Sequence, residues 1–151
     1  MLSTVSFEIG NEDVPAVTPY VDGISLAARV EAYERAKGYD PAGGYGGLIP
    51  AYFEHGPLDA YFTGNDKSDH WMGLRGIYLL GCACGEIGCW PLIASVYRKE
   101  DQIHWDRFVQ PHRPRRDYSA FGPFTFSKAQ YEDAVKDLLI RLNSAGANSS
   151  T

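Results

Sequence analysis

Three cysteines lie close together in the middle of the chain and are its most distinctive chemical feature. Cys82, Cys84 and Cys89 fall within the run CACGEIGCWP. Gly85 follows Cys84, and Gly88 precedes Cys89. Both glycines can adopt positive φ, which lets the chain curl back so that the thiols converge. Zinc prefers sulfur and nitrogen ligands in a tetrahedral arrangement. The run therefore supplies three of the four ligands of a zinc site.

A β-hairpin predicted from the sequence brings a fourth ligand. Segments 92–98 and 102–109 are rich in strand-forming residues and flank a short charged turn, which is a hairpin signature. When this pairing is extended beyond the strands, His112 falls beside Cys89. His104 is the alternative ligand, and His70 is a third option. Zinc is accordingly the one cofactor that the sequence suggests.

The register of this hairpin follows from a two-residue turn between Lys99 and Gln102. It pairs Tyr97 with His104 and places Ile93 opposite Phe108. A slip by one residue would move His112 by only one place, although it would reverse the faces of the strand.

Two further interpretations of the cysteines remain open. In structural zinc sites, paired cysteines usually have about two to four residues between them, whereas only one residue lies between Cys82 and Cys84. Free cysteine often behaves as a small buried hydrophobe, and we favour ordinary packed thiols over zinc. A third interpretation is a thiol enzyme with Cys89 as nucleophile, activated by nearby His112 or Arg113. No third, orienting group is evident, so no catalytic residue is assigned.

Aromatic residues are dense in segment 38–73, which also contains a glycine-rich run. Aromatic side chains are favoured in binding surfaces, but they also cover the open face of a sheet, and we favour the covering role. The candidate binding residues in this region are Tyr45, Tyr52, Tyr61 and Trp71.

A cationic segment lies between the hairpin and the end of the chain. Arg113 and Arg115 are candidate binding residues within HRPRR, and Asp117 follows shortly. The segment can clamp an anion, or it can be a charged connector in which Asp117 neutralises the arginines. We favour the connector.

Helix and strand signals indicate an α+β fold. Ser25 and Gly38 are typical of the start and end of a helix. Ser127 followed by Gln130 is a capping box for a final helix that ends before Gly146. Strands are predicted at 5–9, 76–82, 92–98, 102–109 and 124–126, a loop at 11–22, and a short helix near 58–62. We expect an antiparallel sheet of four to five strands with two main helices on one face.

Length and charge limit the function classes. The chain has 151 residues with 44% apolar residues, enough for one core that folds without metal. We expect a single domain over 1–143 and a flexible tail over 144–151. The net charge of −5 argues against nucleic acid as a partner. No apolar run approaches the roughly 20 residues of a membrane helix, no secretory signal is evident, and an odd number of cysteines favours a reduced, cytoplasmic protein.

The chain resembles a family of small uncharacterised bacterial proteins. The resemblance rests on C-x-C-G-x-x-G-C-W-P-L from Cys82 and W-x-x-F-x-Q-P-H-R from Trp105, and it continues through D-Y-S-x-F-G-P-F from Asp117 and Q-Y-E from Gln130. It covers about the C-terminal half. Membership implies a bacterial, intracellular protein and carries over no catalytic residue.

These observations favour a non-enzymatic interaction module that binds a protein partner or forms a homo-oligomer. The motivation is that no complete catalytic set is evident, while aromatic loop residues are abundant. A zinc-stabilised domain and a thiol enzyme are the two alternatives.

Overall fold

The computed structural model describes residues 2–10, 14–50, 58–63, 77–83 and 90–149, with the backbone alone at residue 60 and at 144–149. Five of the candidate residues lie outside this part of the chain: Tyr52, His70, Trp71, Cys84 and Cys89.

The described chain forms eight strands and three helices. In chain order they are β1 (Val5–Ile9), β2 (Val17–Val21), β3 (Ile24–Ser25), α1 (Leu26–Lys37), β4 (Tyr45–Gly46), α2 (Leu58–Thr63), β5 (Ile77–Cys82), β6 (Leu92–Lys99), β7 (Gln102–Val109), β8 (Phe124–Ser127) and α3 (Lys128–Ser149).

The strands form two antiparallel sheets. The larger has the order β4-β5-β6-β7-β8, and the smaller has the order β1-β2-β3. The predicted α+β class with an antiparallel sheet is confirmed. Helix α3 packs against β1, β7 and β8, while α1 packs against β2 and β3. No helix of the described residues is long and apolar enough to cross a membrane.

The smaller sheet contains a strand that the sequence analysis placed in a loop. β2 pairs with β1 along its whole length, and Pro19 lies within it opposite Phe7. The loop prediction for 11–22 is therefore wrong over β2. Proline lacks a backbone donor and weakens a strand signal, but the buried alternation of Val17, Pro19 and Val21 keeps this strand on the core.

Helix α1 has the predicted bounds. The Ser25 hydroxyl accepts a hydrogen bond from the Ala28 N–H at 3.0 Å, and Gly38 ends the helix with φ of 76°. Its buried face consists of Leu26, Val30 and Glu34. These residues are four apart, so helical periodicity carries a carboxylate onto the apolar face.

Helix α3 begins as predicted but ends later. The Ser127 hydroxyl accepts from the Gln130 N–H at 3.0 Å. The Gln130 side chain instead bridges to β1, accepting from the Val5 N–H at 3.0 Å and donating to the Val5 carbonyl at 2.7 Å. The helix continues through Gly146 to Ser149, so the predicted end is wrong.

The β6–β7 hairpin has the predicted turn and a bulge beyond it. Tyr97 pairs with His104, which confirms the register near the turn. The register then shifts, so that Ile93 faces Val109 instead of Phe108. Arg107, in the shifted part, has φ of 53°, as expected where an extra residue is accommodated in one strand. Residues after β7 are consequently displaced by one place.

The core lies between the larger sheet and α3. Trp105 is fully buried and its indole N–H donates to the Tyr131 hydroxyl at 3.0 Å. The Tyr131 hydroxyl donates in turn to the Phe62 carbonyl. This chain of hydrogen bonds ties β7, α3 and α2 together and satisfies polar groups that burial would otherwise leave unpaired.

Candidate functional site

A fully buried carboxylate lies at the centre of the candidate site. Glu34 is 0% exposed. Its Oε1 accepts from the Gly43 N–H at 2.8 Å. Its Oε2 accepts from the hydroxyls of Tyr45 at 2.8 Å and Tyr118 at 2.5 Å, and from Arg116 Nη1 at 3.1 Å. A buried charge is tolerated when it is paired and hydrogen-bonded in this way.

The partner of Glu34 is held from several sides. Arg116 Nη2 donates to the Pro41 carbonyl at 2.8 Å. Its guanidinium carbon lies 5.1 Å from the ring centre of Tyr39 and 5.6 Å from that of Trp90. Burial alone lowers the pKa of Arg116, but Tyr118 and Glu34 outweigh it, so the net shift is upward. Arg116 is therefore a fixed cation.

The hydroxyls of Tyr45 and Tyr118 donate hydrogen bonds to the Glu34 carboxylate. Burial is the largest cause of the raised pKa of Tyr45, with further contributions from Tyr118 and Glu34. Burial and the hydrogen bond to Glu34 raise the pKa of Tyr118 to about 12. Both hydroxyls thus remain protonated at neutral pH and donate to Glu34.

Trp90 forms a platform beside this cluster. Its indole N–H donates to the Gly43 carbonyl at 2.8 Å, and the Arg113 guanidinium lies 4.7 Å from its ring centre. Gly43 thus connects Glu34 through its N–H and Trp90 through its carbonyl. Its φ of 80° and the Glu31 side chain, 2.2 Å from where a Cβ would lie, favour glycine at this position.

The segment that carries the arginines is a compact pair of turns. We call residues 112–116 the arginine loop. The Arg113 N–H donates to the Gln110 carbonyl at 2.9 Å, and the Arg116 N–H donates to the Arg113 carbonyl at 3.0 Å. The buried Gln110 accepts from the His112 N–H at 2.8 Å. The Tyr33 hydroxyl donates to the Asp117 carbonyl at 2.7 Å, which fixes the end of the loop.

The exposed cations of the arginine loop have no acidic partner within the described ranges. Arg113 and Arg115 are exposed, and neither forms an ion pair there. The predicted neutralisation by Asp117 is wrong: its carboxylate accepts from the Ser119 N–H at 2.8 Å, and hydrogen bonds from Ser119 lower its pKa. The internal partner is Glu34, and it neutralises Arg116.

A cavity of about 450 Å³ lies next to this loop. One of its lining residues, Pro41, accepts a hydrogen bond from Arg116 through its carbonyl. Its wall follows the end of α1 and the residues after it: Arg35, Gly38, Tyr39, Asp40, Pro41 and Ala42.

The described flanks of the cysteine run attach to neighbouring residues. The Ala83 N–H donates to the Gly44 carbonyl at 2.9 Å, and Trp90 donates to the Gly43 carbonyl. Cys82 is half-buried and His112 is exposed. In the part of the chain that the structure covers, no three His, Cys, Asp or Glu side chains could hold a metal ion. With Cys84 and Cys89 outside that part, the four-ligand site stays a prediction.

Two predicted binding residues belong to the core. Tyr45 is 9% exposed and Tyr61 is 1% exposed, and the Tyr61 hydroxyl donates to the Tyr78 carbonyl at 2.7 Å. Both side chains are therefore buried in the core, as the covering role that we favoured requires, and a binding role for them stays a prediction.

His104, the alternative zinc ligand, is engaged in cross-strand contacts. Its ring stacks on Tyr97 at 5.1 Å between ring centres, and its Nδ1 lies 3.2 Å from the Thr125 hydroxyl. The Tyr97 hydroxyl donates to Asp106 at 2.7 Å, and this bond is the largest cause of the raised pKa of Tyr97. These contacts are those of a packed sheet surface.

Glu34 is the site residue that sequence reasoning missed. A signal was present, since the apolar spacing of Leu26 and Val30 continues to Glu34. A carboxylate at a core-facing position of a helix requires a buried partner, but the sequence does not reveal that Arg116 supplies it.

Comparison with known proteins adds no relative: no family model, no curated protein and no solved structure matches the chain.

Proposed function

We propose that this protein is a non-enzymatic binding module that recognises an acidic segment of a protein partner through the arginine loop. The observation that carries this proposal is the state of Arg113. Its guanidinium lies 4.7 Å over the Trp90 ring and is exposed, without a carboxylate partner among the described residues. An arginine that is held in place but has no carboxylate partner can bind a carboxylate of another protein.

Order in the free protein supports binding. Two backbone hydrogen bonds close the turns of the loop, and Arg116 anchors it to Glu34. Immobilising a long side chain on association costs about 0.5–1.5 kcal/mol. Stacking on Trp90 already restricts Arg113, so part of this cost is met before the partner arrives. Arginine and tryptophan are also the residue types most often found at interface hot spots.

The charge distribution favours an acidic peptide over nucleic acid. The arginine loop is locally cationic, whereas the chain as a whole carries a formal charge of −5. Binding to nucleic acid relies on neutralising many phosphates, which a short loop on an acidic domain does not achieve. One or two carboxylates match the exposed Arg113 and Arg115 by number and charge.

The test uses a fluorescein-labelled oligoglutamate peptide, with oligoglutamine as the neutral comparison, and measures anisotropy. We expect saturable binding of oligoglutamate that weakens more than about tenfold in R113A/R115A. The matched control is R98A/K99A, which removes two exposed cations at the far end of the hairpin and leaves the affinity unchanged. Absence of saturable binding, or equal losses in both double variants, would contradict the proposal.

A second candidate is the zinc-stabilised domain predicted from the sequence. The observation that favours it is the attachment of Ala83 and Trp90 to the adjacent Gly44 and Gly43 carbonyls. These contacts bring the two ends of the cysteine run together. Elemental analysis of the purified protein tests it: we expect stoichiometric zinc that C82S removes, and metal-free wild-type protein would refute it. The thiol-enzyme interpretation stays a prediction, because Cys89 lies outside the described residues.

A further inference from the structure

We propose that Glu34 is the positioning residue of this binding surface, and that it aligns the arginine loop with its aromatic platform. The inference rests on the proposed function of the loop. Glu34 is fully buried and touches no partner itself. It acts through Arg116 and Gly43, the two residues through which the halves of the surface meet.

One oxygen of the Glu34 carboxylate binds the arginine loop, and the other binds the residue that holds Trp90. Oε2 accepts from Arg116, the last residue of the arginine loop, and so sets where the loop lies. Oε1 accepts from the Gly43 N–H, and the carbonyl of the same residue accepts from the Trp90 indole. One side chain thereby fixes the cation-bearing loop and the ring on which Arg113 stacks.

An uncharged amide of the same shape cannot make this alignment. Every neighbour of Glu34 named above is a donor: a backbone N–H, a guanidinium and two hydroxyls. Glutamine has one acceptor oxygen and a donating NH₂ group. In E34Q, the glutamine NH₂ group therefore points at either the Gly43 N–H or the Arg116 guanidinium, which are both donors. The residue that faces this NH₂ group must move away.

Positioning is distinguished from general stabilisation by a control in another part of the fold. Leu138 is fully buried in α3, and L138A weakens the core without touching the cluster. We expect E34Q to lower the affinity for labelled oligoglutamate by more than about tenfold, while folded L138A retains wild-type affinity. Equal losses in E34Q and L138A at a temperature where both are folded would overturn the inference.

A second measurement works without any ligand. In the wild-type protein, with the Arg113 guanidinium 4.7 Å from the Trp90 ring centre, we expect the ring to shift the side-chain Nε–H resonance of Arg113 in a ¹⁵N-resolved spectrum. E34Q should return this resonance towards the position of an unstacked arginine, whereas L138A leaves it unchanged. If the Arg113 resonance of E34Q keeps its wild-type position, the positioning role is refuted. Failure of wild-type protein to bind the peptide, with the spectral change present, refutes the proposed function alone.

Discussion

Glu34 and Arg116 form a buried ion pair across the molecule. Their side chains are 82 residues apart in sequence, meet at 3.1 Å, and are 0% and 7% exposed. Each of the other ion pairs among the described residues joins two residues that are four apart within the same helix, and each is more exposed. A buried pair is weak evidence for net stability but can fix one arrangement of the chain. This one holds the arginine loop against α1.

Removing both partners should cost less than the two single removals added together. R116M leaves Glu34 buried without its cation, and we expect about 3–5 kcal/mol loss in the free energy of unfolding. In E34Q/R116M neither charge remains, so the loss should be smaller than the sum of the two single changes. Urea unfolding of the four proteins in a double-mutant cycle measures the coupling. Additive losses would mean that the two residues contribute independently.

The Tyr118 phenol should make stability depend on alkaline pH. Burial and the hydrogen bond to Glu34 raise its pKa from 10.0 to about 12, so between these values the folded protein holds a proton that the unfolded chain has lost. Stability from this proton is complete below about pH 10 and is lost as the pH rises through about 12. Urea unfolding across this range should show a smaller decline for Y118F than for wild type. An unchanged decline would assign it to other groups.

Replacing Trp90 tests the platform by itself. W90F keeps an aromatic ring but lacks the N–H that donates to the Gly43 carbonyl. We expect a loss of about 1 kcal/mol in the free energy of unfolding and weaker stacking of Arg113, since tryptophan is the strongest cation–π partner. Comparison with W105F, which removes the buried donor to Tyr131, separates the platform from the core. Only W90F should weaken peptide binding.

Gln130 links α3 to the smaller sheet, together with Arg141, which donates to the Phe7 carbonyl. Gln130 bonds both the N–H and the carbonyl of Val5, so Q130A leaves two backbone groups without these partners. We expect a loss of about 1–3 kcal/mol, together with faster hydrogen exchange at Val5. The matched substitution E132A, on the exposed side of the same helix turn, should change stability little. Protection of Val5 that survives in Q130A would argue against this bridge.

Much of the fold could be predicted because its signals are local. Ser25 and Gly38 bound α1, and Lys99 and Gln102 bound the hairpin turn, each through contacts within a few residues. The failures have physical causes of longer range. Pro19 lies in β2 because Val17 and Val21 are buried on the core side of this strand. The final helix continues past Gly146 because the helix propensity of a single residue has only a small effect on where a helix ends.

The candidate site was only partly predictable for the same reason. Arg113 and Arg115 were named from their local charge, and they are exposed as such residues should be. The burial of the aromatic candidates Tyr45 and Tyr61 could not be predicted, because composition does not reveal which side of a chain segment faces the core. The neutralising partner of the loop was sought nearby, at Asp117, whereas the structure supplies it from α1.

The sequence by itself determined the α+β class, the capped helix α1, the hairpin and the location of a cationic segment, since periodicity, caps and turns act between near neighbours. Tertiary structure alone decided that Glu34 faces inward, that Arg116 is its partner, and that Arg113 stacks on Trp90 without an ion-pair partner among the described residues. These relationships join α1, residue 43, residue 90 and the arginine loop. They depend on how separate elements pack, which no local pattern encodes.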